Sequence, residues 1–178
     1  MKLHLGCGKR YIPGFVHVDM TSYSHVDFVH DVRTLPMFGN GTAELIYACH
    51  VLEYFDQVEA VEVLSEWYRV LMPGGVIRLS VPDLEQLMVV YQGTRDESIV
   101  IGPLFGRMEV DGGIIYHKTV YDYATLSTVL ARAGFRNIQY WNWRTTEHAA
   151  VDDFSQAYIP RMMKDTGRLI SLNIGAIK

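Results

Sequence analysis

The chain has 178 residues, 49% of them apolar, enough for one domain over 1–178 with a sizeable core and short for two. A formal net charge of −4 gives no basic footprint for a nucleic-acid partner, and no apolar run reaches the roughly 18 residues a membrane span needs. The N-terminal stretch Met1-Lys2-Leu3-His4-Leu5-Gly6 reads as a strand, so the expected compartment is the cytoplasm, with Cys7 and Cys49 as reduced thiols.

In chain order, strand-like runs are expected at 2–6, 15–19, 26–31, 44–49 and 76–81. Pro13-Gly14, Thr21-Ser22, Gly39-Asn40-Gly41 and Pro73-Gly74-Gly75 punctuate them. A helix is expected over 57–71 on the apolar stripe Val58, Val61, Leu64, Tyr68 and Leu71. A shorter helix follows from Pro82-Asp83 to about Gln92, then a glycine-rich irregular insert over 93–117 that suits either a lid or a solvated connection. A helix over 122–133, stopped by Gly134, precedes two closing strands at 137–143 and 169–177.

The links between the first three strands carry the most information. Parallel strands usually need a crossover of a dozen or more residues, yet only 7–14 and 20–25 are available here. Eight extended residues reach roughly 26 to 29 Å, enough for a bare loop to run back along a short strand but not for a helix. Parallel pairing and hairpins both remain open on length alone. Alternation within the strands, Leu3 and Leu5 against Lys2 and His4, Val16 and Val18 against His17, Ile77 and Leu79 against Arg78, implies one apolar and one polar face. The expected fold class is therefore α/β: a Rossmann-like, mostly parallel sheet in two layers. The helices that usually cover one face, before strand 1 and after strands 1 and 2, are absent. Lys2, His4, His17, Asp27 and Arg78 should share the bare polar face, either solvated or used for a homodimer.

The order Leu5-Gly6-Cys7-Gly8, Val18-Asp19, His30-Asp31-Val32-Arg33-Thr34-Leu35-Pro36, His50-Val51-Leu52-Glu53-Tyr54 and Arg69-Val70-Leu71-Met72-Pro73-Gly74-Gly75 resembles the class I S-adenosylmethionine-dependent methyltransferases of the small bacterial type. Ala133-Gly134-Phe135 and the final strand extend the resemblance over most of the chain. It implies S-adenosylmethionine as cofactor, with Gly6, Cys7 and Gly8 against its methionine part and Asp19, beside Met20, on the ribose hydroxyls. Asp31 with Val32 would hold the adenine, and Cys49, His50 and Glu53 would border the sulfonium. A dinucleotide would need a helix N-terminus for its pyrophosphate, and the short link after the glycines leaves no room for one.

Methyl transfer is an in-line displacement, so a base matters only for an acceptor that carries a proton. His117 with Asp122 is the first candidate, then His50, Glu53 or Asp83, while Tyr116, Tyr121 and Tyr123 either line an acceptor pocket or pack. No metal-ligand spacing is present, and no metal is expected. The resemblance implies methylation of a small polar acceptor, with a saccharide link by family association. The contrasting reading is a non-catalytic binding or scaffolding protein on the same fold.

Overall fold

The computed structural model describes residues 1–110, 112–161 and 163–178. Its first strands are β1 (Lys2–Leu5), β2 (Phe15–Asp19), β3 (Phe28–Val29), β4 (Ala43–Cys49) and, after helix α1 (Gln57–Val70), β5 (Leu71–Pro82). Helices α2 (Leu84–Thr94) and α3 (Ser98–Phe105) lead into the hairpin β6 (Met108–Val110) and β7 (Gly113–Ile115), so the insert is partly regular. Helix α4 (Tyr123–Arg132), β8 (Arg136–Tyr140), a small hairpin of β9 (Tyr158–Ile159) and β10 (Arg168–Leu169), and β11 (Ser171–Ile177) complete the chain. The main sheet has the order β3-β2-β1-β4-β5-β11-β8, with β11 antiparallel to both neighbours.

β1 pairs with β2, and β2 with β3, in parallel, so the two short links do run back along the sheet as bare loops. The third strand is shorter than its apolar run suggests. Asp27 is drawn aside, its carboxylate accepting from the His17 N–H at 2.7 Å, and only Phe28 and Val29 pair at the exposed edge.

Helix α1 starts at a capping box in which Asp56 accepts from the Val58 and Glu59 N–H groups and Glu59 reaches back to the Asp56 N–H. Its buried stripe is Ala60, Val63, Leu64, Trp67 and Val70, rotated from the expected one, and Val58 faces solvent. The rotation follows from Trp67, whose indole N–H donates to the Val32 carbonyl at 2.8 Å and so can be buried whole. Helices α1 and α4 close one core with Leu3, Leu5, Val18, Ile46, Ile77, Leu79 and Ile174, the apolar face of the sheet.

The opposite face carries no helix of its own, but it is not bare, which corrects that expectation. Residues 141–157, the connection after β8 with its two 3-10 turns at Trp143–Thr145 and Phe154–Gln156, lie over it. Tyr47 donates to Asp153 at 2.6 Å, Lys2 and Arg78 both reach Glu147 at 3.0 and 2.6 Å, and the Trp141 indole donates to the Leu79 carbonyl at 3.0 Å. His4 is 2% exposed, and His17, stacked on Tyr11 and edge-on to His25 in the loops after β1 and β2, is 1% exposed. The chain's own coil occupies the middle of that surface.

Candidate active site at the strand tips

At the tip of β1, Gly6 and Gly8 both take left-handed backbone, φ +62° and +53°. A Cβ on Gly6 would sit 2.4 Å from Val51 Cγ2, so the glycine lets the loop after β4 pack on the loop after β1. The second left-handed turn aims the Gly8 N–H at Asp19 Oδ2, 2.8 Å away, while the Thr21 N–H meets Oδ1 at 2.8 Å. Each carboxylate oxygen thus keeps a lone pair, the arrangement that a vicinal diol can satisfy. Met20 stands exposed beside it. The Cys7 thiol is buried, and burial with the nearby Asp19 charge pushes it up to about 12, so it is no nucleophile. Cys49 is likewise a free thiol, raised by burial.

Asp31 closes a turn on itself, its Oδ1 accepting from the Arg33 N–H at 2.9 Å, with Oδ2 3.5 Å from the Arg33 side chain. Val32 next to it is buried and anchored through its carbonyl to Trp67.

Past β4 the chain turns at His50, a non-glycine residue at φ +55°, and buries Glu53 completely. The His50 Nδ1 and His117 Nε2 atoms lie 3.3 and 3.8 Å from Glu53 Oε1. Burial, joined at His50 by the neighbouring His117, drives these groups toward their neutral forms: Glu53 rises to about 8, His50 falls to about 3, and His117 also falls. The Tyr121 hydroxyl, buried nearby without a hydrogen-bond partner among the described residues, is pushed up by burial and by Glu53.

The expected pair of His117 and Asp122 does not meet. Asp122 is the N-cap of α4 and accepts from the Thr125 N–H at 2.7 Å, which commits it to the helix. His117 instead belongs with Glu53 and lies beneath Gly106, where a Cβ would come within 1.9 Å of its ring. The three tyrosines diverge: Tyr116 is exposed, Tyr121 is buried, and Tyr123 donates to the Ile138 carbonyl and stacks on Tyr140. Sequence reasoning missed Ser171, whose Oγ is 3.2 Å from His50 Nε2, because nothing local marks the first residue of a closing strand. Ser171 also lines a groove of about 1280 Å³ between α2 and the β9-β10 hairpin, with Asp83, Gln86, Tyr140, Arg168 and Asn173. None of Gly6, Asp19 or Asp31 lines that groove, so it is a second compartment beside the glycine cleft. Among the described residues, no group of three or more His, Cys, Asp or Glu is arranged to hold a metal ion.

Residues 3–79 match the family model of the methyltransferase domain. The match covers 77 of the 178 residues and spans the glycine loop, Asp19, Asp31 and the His50 to Glu53 turn. Solved S-adenosylmethionine-dependent methyltransferases share the architecture across the remaining strands. One from Thermotoga maritima aligns with 99% of this chain and 81% of its own at 13% identity and a TM-score of 0.60. One from Archaeoglobus fulgidus covers 99% and 85% at 16% identity and 0.59, and one from Methanosarcina mazei 99% and 91% at 16% and 0.59. No curated protein matches the sequence. The strand tips suit S-adenosylmethionine chemically: Gly8 leaves open space where a side chain would stand, and a buried carboxylate keeps free lone pairs at the second strand tip.

Proposed function

We propose that this chain, acting as one domain, is a methyltransferase that moves a methyl group from S-adenosylmethionine to a small polar acceptor, with a hydroxylated, saccharide-like molecule as the class that suits the groove. The observation that carries the reading is the clamp at the tips of β1 and β2, where Gly8 and Thr21 hold Asp19 with its lone pairs free. In this reading Gly6, Cys7 and Gly8 face the methionine part and Asp19 with Met20 the ribose. Asp31 with Val32 takes the adenine, and Cys49, His50 and Glu53 sit around the sulfonium. The bound cofactor supplies an electrophilic methyl carbon. The chain's own contribution is alignment and exclusion of water, which for an in-line displacement is worth several orders of magnitude in rate. The groove supports the acceptor class: Tyr140 offers an aromatic ring, and Gln86, Ser171 and Asn173 offer neutral hydrogen-bonding groups.

Calorimetry with S-adenosylhomocysteine tests the cofactor site. The folded protein binds it, and Asp19→Asn, which keeps the size but removes the charge and one pair of acceptor sites, weakens binding about tenfold or more, in line with about 1.5 kcal/mol or more for a hydrogen bond to a charged group. Absence of binding by well-folded protein refutes the function. Binding unchanged in Asp19→Asn refutes the ribose assignment alone.

A further inference from the structure

Glu53 is fully buried and neither of its carboxyl oxygens makes a formed hydrogen bond among the described residues, although two imidazoles converge on Oε1. The far nitrogen of each ring fixes what the near one carries. His117 Nδ1 lies 3.2 Å from the Leu104 carbonyl, which can only accept, so Nδ1 bears the hydrogen and Nε2 presents a lone pair to Glu53. Ser171 donates its hydroxyl hydrogen to the Phe154 carbonyl and can only accept from His50 Nε2. His50 Nε2 then bears its hydrogen, and Nδ1 is a second lone pair aimed at Glu53. Two lone pairs and a carboxyl group cannot face one another without a proton between them. The cluster therefore stores one proton, on Glu53.

Removal of that proton rearranges the pair. The His50 hydrogen moves to Nδ1 to meet the carboxylate, and the Ser171 hydroxyl turns from the Phe154 carbonyl to donate to the freed Nε2 lone pair 3.2 Å away, while Ser171 itself lines the groove. His50 is the exposed edge of the cluster, and the loop it opens packs on Gly6 through Val51.

We propose that His50 is the base for a hydroxyl-bearing acceptor held in the groove, acting through Ser171, which lines the groove and lies 3.2 Å from His50 Nε2, with Glu53 as its positioning residue; the proposal rests on the methyl-transfer reading above. The acceptor oxygen bonds to the methyl carbon as the carbon–sulfur bond breaks and its electron pair stays on sulfur. The acceptor proton passes to Ser171 Oγ as the Ser171 hydrogen passes to His50 Nε2, and the imidazolium so formed lies against the Glu53 carboxylate until the proton returns to water. Burial holds Glu53 up at about 8 and, with His117, holds His50 down at about 3, so the stored proton sits on the carboxyl near pH 7. The other titratable groups facing it are neutral near pH 7. His117 is lowered, and Tyr54, Tyr121 and Cys49 are raised.

The test compares S-adenosylmethionine with S-adenosylhomocysteine, which differ by one methyl group and one positive charge, by calorimetry from about pH 6.5 to 9.5. In the wild type the affinity ratio shifts at least about threefold toward the cation as pH rises through about 8, and in Glu53→Gln it stays flat. Transfer of labelled methyl from S-adenosylmethionine is followed to D-glucose, glycerol and L-serine over the same range. The wild-type rate climbs with pH to a plateau above about 8. His50→Asn keeps a side chain tolerant of the left-handed backbone and loses about 100-fold or more, and Glu53→Gln flattens the profile. The proposal is overturned by a ratio independent of pH in the wild type, by His50→Asn at full rate, by activity lost to a chelator and restored by a metal, or by no transfer to any of the three probes. Failure of both ligands to bind at every pH strikes the methyltransferase reading instead.

Discussion

Replacing Tyr47 by Phe asks whether the helix-free face of the sheet is held by its coil cover. Tyr47 is fully buried in β4, and its hydroxyl donates at 2.6 Å to Asp153, which also accepts from the Ser155 N–H and Oγ at 2.9 and 2.6 Å. Burial and the Asp153 charge hold the phenol well above its ordinary value, so it stays a donor at any working pH. The substitution keeps the ring, its 4.4 Å contact with His148 and its edge contact with Trp141. What it removes is one of three donors to a buried carboxylate. A hydrogen bond to a charged group contributes about 1.5 to 3 kcal/mol, and a loss near 2 kcal/mol lowers Tm by about 4 to 8 °C in a chain of this size. Urea and thermal unfolding measure the loss. Hydrogen exchange localises it, with faster exchange expected over 141–157 and little change in α1 on the opposite face. A change below about 0.5 kcal/mol with unaltered exchange over 141–157 refutes the view that this segment acts as the missing layer.

Two further outcomes follow from the same geometry. Gly6→Ala forces a Cβ to 2.4 Å from Val51 at φ +62°, so it should abolish S-adenosylhomocysteine binding while leaving far-UV circular dichroism near wild type; adding Val51→Ala relieves the clash but not the backbone strain, and calorimetry should show partial recovery at most. Acid titration should expose the buried imidazoles: His4 is lowered to about 3 by burial and by the neighbouring histidines, so the unfolded chain binds a proton below pH 6.5 that the folded chain refuses. Stability that is complete above about 6.5 is then lost as pH falls toward 3, at up to about 1.4 kcal/mol per pH unit for each such group. His4→Phe should shallow the slope in urea titrations between pH 6 and 4, and an unchanged slope counts against the burial of His4.

Much of the sheet was legible in the sequence because strand alternation and loop length are local quantities. Eight residues after Gly6 leave no space for a helix whatever the rest of the chain does, and Leu3, Leu5, Ile77 and Leu79 mark their shared face by period alone. The glycine loop and Asp19 could be placed for the same reason, as consecutive strand tips on one edge. What became of the polar face could not be read, since the segment that covers His4 and Tyr47 lies about a hundred residues further on and carries little periodicity of its own.

The sequence by itself determined that the first three strands are joined without helices and that glycines and an acid end consecutive strands, because turns and spacing constrain the backbone directly; that these strands pair in parallel was decided by the structure. Only the tertiary structure decided which charged groups are buried and which proton each nitrogen holds. Asp122, adjacent to an attractive histidine in sequence, is spent on a helix cap, while Glu53 meets His50 at three residues' distance and His117 at more than sixty. Burial and hydrogen-bond partners come from side chains brought together by packing, and it is those partners, not the residue types, that set the chemistry.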